Sequence, residues 1–358
     1  MMIPTCGKGR FLAAALAVLA VGLAACLPGG EDIRGLKGAF DNPAFGERLL
    51  YVSGIDGYLY AMDMGLSGLS PGAQIDAEIL SLRWRVAVGG EPEPAALIGG
   101  PVFVPDPDLP IVMVGSEDGI FYAFDAEEGG DPLWTFATGD SIWSTPVAKD
   151  GTVYFGSHDD YVYALGVGDG REKWRFKTGG TVAGRPLLFR DLVVVGSFDR
   201  KLYGIDANSG TLRWTVEGEN WFWAGAVADE RSIFAPNMDG KIYAVNAQGN
   251  LLWTYDLGSA IVSRPALVSG GLAVAGKNGR VVNLLDTRPD TAASNRVIDT
   301  EFVSESEIKS PMFVSGNTLY VGTQGSTIIR IDVSTNRAGR LDLDEAWCLN
   351  TKENTECN

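Results

Sequence analysis

A fourteen-residue segment returns seven times along this chain, and that recurrence constrains the fold more than any other feature. Leu50-Tyr-Val-Ser-Gly-Ile-Asp-Gly-Tyr-Leu-Tyr-Ala-Met-Asp63 aligns with Val112-Met-Val-Gly-Ser-Glu-Asp-Gly-Ile-Phe-Tyr-Ala-Phe-Asp125, and again with 153–166, 193–206, 233–246, 273–286 and 319–332. The last residues of the copies are spaced 62, 41, 40, 40, 40 and 46 apart. Each copy is two apolar runs around a tight turn. Asp56-Gly57, Asp118-Gly119, Asp239-Gly240 and Asn278-Gly279 supply the positive φ angles of a type I′ hairpin, so the runs are antiparallel neighbours.

Two further runs complete the unit. After the hairpin comes an alternating stretch carrying Trp84, Trp134, Trp174, Trp214 or Trp253, and before it a short apolar run introduced by Pro43, Pro146, Pro186, Pro265 or Pro311, a residue suited to the start of a strand. Four strands per unit of about 40 residues, with no helical period anywhere, predict an all-β fold: a seven-bladed β-propeller of four-stranded antiparallel blades over 43–344, with eight blades as the alternative. The long first step is accounted for by two inserts. One is expected between the third and fourth strands of blade one, the other between the first and second strands of blade two, which would place both on one rim.

The two ends have a separate logic. Lys8 and Arg10 precede an apolar stretch from Phe11 to Gly22 that is short for a membrane span, and Ala24 and Ala25 follow, so residues 1–25 read as a secretory signal. Leu23-Ala24-Ala25-Cys26 resembles the bacterial lipobox, which makes Cys26 the lipidated first residue of the mature chain and 27–42 a tether; ordinary signal cleavage is the alternative. Leu27 after that cysteine would permit outer-membrane sorting in a cell with two membranes. Cys348 and Cys357, in a C-terminal tail placed at 345–358, read as a disulfide in an oxidising compartment, with a metal pair as the alternative. The formal charge is −16, and about −18 without the signal, so the chain offers no cationic footprint for nucleic acid.

Within the repeats most polar residues have a structural reading. Asp56, Asp118, Asp159, Asp199 and Asp239 recur at equivalent turns, where a carboxylate bonds the amide two residues on; one per blade is too sparse for calcium. The tryptophans are expected to fill the wedges between blades. His158 is expected as a solvent-exposed turn residue, with no nucleophile motif to make it catalytic. Asn220-Trp221-Phe222-Trp223 breaks the pattern, because consecutive residues of a strand or turn cannot all face one core. With Trp143, Arg185 and Arg264 from equivalent inter-blade segments, Trp221, Phe222 and Trp223 form the expected partner-binding patch, the alternative being that the rings plug the axial channel.

Gly-Ser-x-Asp-Gly-x-x-Tyr-Ala-x-Asp followed by Gly-x-x-x-Trp resembles the pyrroloquinoline-quinone-like repeat, and Asp206-Ala-Asn-Ser-Gly-Thr-Leu-Arg-Trp214 is the nearest single copy. Together with the lipobox, this resembles the BamB family, the lipoproteins of outer-membrane β-barrel assembly. The resemblance implies an extracytoplasmic, membrane-anchored scaffold without catalytic residues, cofactor or metal, acting as a monomer within a complex with an envelope protein. That family has eight blades where seven copies occur here. A glycan or small-ligand sensory module is the second reading. A quinoprotein dehydrogenase is the third: its resemblance would imply a calcium, an Asp base and an adjacent Cys pair, and the chain has no Cys-Cys dipeptide.

Overall fold

The structure, a computed structural model, describes residues 44–46, 48–63 and 81–356, apart from 269–270, 278–280, 293–294, 303–307, 309–310, 324–326, 336–340 and 351–354. The signal, Cys26, the tether, Pro43, the insert at 64–80, the Asn278-Gly279 turn and Cys357 lie outside the described residues. Seven antiparallel sheets follow one another along the chain, over 44–87, 102–137, 147–177, 187–217, 227–256, 266–302 and 313–356. Six have four strands in sequential order and the last has five. This is the seven-bladed propeller expected from the repeat. Blade four is representative, with strands Leu187–Phe189, Leu192–Gly196, Lys201–Asp206 and Leu212–Glu217.

Burial explains why the two middle strands read as unbroken apolar runs. Ile111–Gly115 and Thr152–Gly156 are buried at every residue, because each faces an adjacent blade on both sides. Separate apolar clusters join blades one to two, two to three, three to four, four to five, five to six and six to seven. The fourth strand lies at the outer edge and alternates accordingly, as in Glu172–Lys177.

The tryptophan of that outer strand locks each blade to the next. Trp134, Trp174 and Trp214 each donate Nε1–H to a carbonyl of the following blade, on Val167, Ala207 and Ala247, at 2.9 Å; Trp84 does so to Ala126 at 3.1 Å. Each indole also lies on a left-handed glycine of that blade. A Cβ on Gly129, Gly170, Gly210 or Gly249 would come within 2.8, 2.5, 2.7 and 2.5 Å of Trp84, Trp134, Trp174 and Trp214 in turn. Across the sheet the tryptophans pair with Ala61, Ala123, Ala164, Gly204 and Ala244, and the ladder bulges at that point. The small residue in Tyr-Ala-x-Asp is thus the space for an indole.

Blade six departs from this scheme. Asp286-Thr-Arg-Pro-Asp290 stands where other blades have a glycine, and Trp253 instead lies under the Arg296 guanidinium, 4.0 Å from the ring centroid. Arg296 is 2% exposed and donates to the carbonyls of Asp286, Arg288 and Thr291.

Two expected boundaries move. The blade-two insert is divided: the loop between its first two strands is 105–110, against two residues in blade three, and the connection into the blade, 88–101, is longer than the nine residues 138–146 of its neighbour. The extra chain therefore emerges on both faces, not on one rim. At the C-terminus, Leu341–Asn350 is the fourth strand of blade seven and Thr355–Glu356 adds a fifth, so 345–350 and 355–356 belong to the last sheet where a separate tail was expected. Leu349 pairs with Glu356, so the two cysteines flank a register pair in sequence.

Gly210→Ala puts a side chain at φ 70° and into Trp174. It should cost about 1–3 kcal/mol in denaturant unfolding, while Gly168→Ala, with open space around it, should be close to neutral.

Candidate functional site

Between each outer strand and the next inner strand the chain crosses one face toward the propeller axis, and these connecting segments build the site. Each has a buried peg: Leu97, Ile142, Val182, Phe222 and Ile261 are all 0–1% exposed. The amides of Ile142, Val182 and Phe222 donate to Ser116, Ser157 and Ser197 of the preceding blade, at 2.9, 3.1 and 3.3 Å. Their side chains cover Gly115, Gly156 and Gly196, where a Cβ would come within 2.1–2.4 Å.

Phe222 therefore leaves the expected partner patch. It is 1% exposed, packs edge-on against Tyr243 at 5.3 Å and belongs to the core between blades four and five. Alternation about this peg sends its neighbours elsewhere: Trp221 outward, 41% exposed, and Trp223 to the axis.

At the axis, Trp143, Arg185, Trp223 and Arg264 come together around one cavity of about 530 Å³. Met238 and Lys277 line it as well. These two occupy the variable position of the Ser-x-Asp turn, as do His158 and Phe198, and their amides bond the connecting segment, Met238 to the Trp221 carbonyl at 2.9 Å. Sequence reasoning passed over Phe198, Met238 and Lys277. The signal was the one unmatched residue in an otherwise repeated turn.

The rings form a continuous ladder. Phe198 is stacked between Trp221, at 4.6 Å and 4°, and Trp223, at 5.1 Å and 18°. Trp223 meets Trp143 edge-on at 6.3 Å, and Trp143 covers His158 at 4.3 Å. His158 is thus a half-buried member of this stack rather than a solvent-exposed turn residue, and its Nε2 has no hydrogen-bond partner among the described residues. Burial pulls its pKa below 6.5, against the opposing charges of Asp140 and Glu117.

The recurrent turn aspartates are fully occupied by structure. Asp118, Asp159 and Asp239 each accept from the hydroxyl of Tyr122, Tyr163 or Tyr243 at 2.6 Å, and from the amide two residues on at 2.8–3.1 Å. Asp159 and Asp199 also accept from Gly139 and Gly179 of the preceding connection, at 2.7 and 2.9 Å. Burial first, then the bond to aspartate, pushes these tyrosine hydroxyls up, so they remain donors. Among the described residues the cavity wall itself holds guanidinium, ammonium and indole donors and no carboxylate. These residues do not fit a calcium-bound quinone, which needs anionic and carbonyl oxygens around the metal.

The repeat, the succession of antiparallel sheets and an axial cavity lined in part by the variable turn positions define a pyrroloquinoline-quinone-like repeat propeller. The model of the family described as outer membrane protein assembly factor BamB matches residues 116–338, and the chain belongs to that family. Among solved structures, BamB from Moraxella catarrhalis superposes with a TM-score of 0.63 at 18% identity, over 79% of this chain and 83% of that one. The computationally designed Ika8 protein superposes at 0.65 and 16% identity, over 88% and 87%. Both likenesses establish the fold. No curated protein sequence matches the chain.

Because the folded pKa of His158 is depressed, the unfolded chain takes up its proton first as pH falls below 6.5, and stability drops through that window. Denaturant midpoints measured between about pH 7.5 and about pH 5.5 should fall more in the native protein than in His158→Gln. Equal slopes would show that the imidazole titrates alike in both states.

Proposed function

We propose that this protein is a membrane-anchored, extracytoplasmic scaffold that holds an envelope protein partner on the face bearing the axial mouth, and that it acts by binding rather than by turnover. Membership of the BamB family supports the scaffold role. The observation that carries the choice of face is Trp221, a large ring 41% exposed and stacked flat on Phe198, at the rim of an opening that also presents arginine. Tryptophan and arginine are over-represented among residues that dominate binding energy, and a ring held by stacking loses little freedom on docking. The anchor in this reading is Cys26 of the lipobox, which would deliver the propeller to the membrane surface on a short tether.

Two substitutions separate docking from folding. Trp221→Ala should reduce cross-linked recovery of a membrane-embedded barrel protein from intact envelopes by about tenfold or more, with no change in the unfolding transition. Phe222→Ala, one residue away, should cost about 3–5 kcal/mol of stability through loss of the peg. Unchanged recovery with Trp221→Ala would remove this face from the reading. Cys26→Ser should release the protein from membranes into the soluble extracytoplasmic fraction; retention on membranes would exclude the lipid anchor.

A further inference from the structure

The axial cavity presents a charge pattern that the fold does not require. Three cations, Arg185, Arg264 and Lys277, line it, no acidic side chain does among the described residues, and the chain as a whole carries a formal charge of −16. Arg185 and Lys277 are half-buried and form no ion pair with any described residue. Half-burying a cation with no counter-ion carries a desolvation cost. The repeat does not impose that cost: at the position of Arg185, just before the inner strand, blades two, three and five have Gly100, Thr145 and Gly225. The position of Lys277 is filled in other blades by Glu117, His158, Phe198 and Met238. Neither side chain is a consequence of building a blade.

The rest of the wall is aromatic and apolar. Trp143 and Trp223 stand edge-to-face at 6.3 Å, and Trp143 Nε1 is buried without an acceptor among the described residues. Below them the chain is closely packed: a Cβ on Gly184 would come within 2.7 Å of the Trp223 carbonyl, and one on Gly225 within 2.8 Å of the Arg185 carbonyl. The indoles thus stand on a rigid backbone floor. A volume of about 530 Å³ lies within the range of small-molecule pockets, about 300–1,000 Å³.

We propose that the axial cavity is a binding site for a small aromatic carboxylate, whose anionic group is held by Arg185 and Lys277 and whose ring lies against Trp143 and Trp223. A guanidinium fork matches a carboxylate in two parallel hydrogen bonds, and an ammonium adds a point charge beside it. Ring faces and apolar walls take the body of the ligand, and the anion supplies the charge that the cavity lacks. The site requires no protein partner, so its test is independent of docking at Trp221.

The test uses the purified full-length protein in detergent, with 2-naphthoate as the probe and intrinsic tryptophan fluorescence as the readout. The expected result is saturable quenching by 2-naphthoate, binding of the neutral isostere 2-naphthalenemethanol at least tenfold weaker, and weakening of the naphthoate affinity as salt is raised. Arg185→Gln and Lys277→Gln should each lower the naphthoate affinity about tenfold while leaving that of the alcohol unchanged, and Arg171→Gln, at an exposed site outside the cavity, should leave both unchanged. Absence of saturable binding by 2-naphthoate, or equal affinity for acid and alcohol in the native protein, would overturn the proposal without reliance on any variant. Unchanged naphthoate affinity in both folded cavity variants would overturn it as well.

Discussion

The structure depends on one recurring contact, the indole of an outer strand lying on a left-handed glycine of the next blade and donating to the carbonyl beside it. A blade cannot bury its own faces, since each middle strand is apolar on both sides. It therefore needs a neighbour at a fixed angle, and the tryptophan sets that angle at the wide end of the wedge where apolar packing alone would allow blades to slide. Three separate sequence features serve this contact: the tryptophan, the small residue opposite it in the ladder, and the glycine one blade further on.

A second set of contacts works at the narrow end. The pegs Ile142, Val182 and Phe222 plug the glycines that close the second strands, and the turn aspartates hold the connecting segments through Gly139 and Gly179. With both ends of the wedge fixed, some residues between the pegs and the inner strands turn toward the axis, while others, such as Ser144 and Gly184, stay packed in the cavity floor. Trp143, Arg185, Trp223 and Arg264 are among those that face the axis. Cavity lining and packing thus fall to different residues of the same connection.

How much of this could be read from the chain follows from the period. A repeat of about forty residues, present in seven copies, five of which carry a turn aspartate and an outer-strand tryptophan, determines blades, strand order and the structural role of the aspartates, because each feature recurs at a fixed place in the unit. The gathering of Trp143, Arg185, Trp223 and Arg264 was also readable, since equivalent positions of successive blades must converge on the axis. What was not readable lies where the repeat is locally broken. Phe222 looked like part of a surface patch until the row Leu97, Ile142, Val182 and Ile261 is seen to be a peg position, and His158 looked exposed because a turn residue normally is. Nothing local in Ser-x-Asp says that the variable residue leans inward under a ring from the adjacent segment. The replacement of the blade-six glycine by a chain that brings in Arg296 was equally hidden, because it joins residues far apart in sequence.

The mouth is assembled from side chains contributed by several modules in turn, while the tryptophan locks that hold the modules together sit at the periphery. Exchange of a single module that keeps its tryptophan, its small residue and its glycine would rewrite one sector of the opening and leave the other sectors and the seam locks as they were. Such a ring works as a set of interchangeable type: new recognition can be composed one character at a time, with no need to recast the frame that carries it.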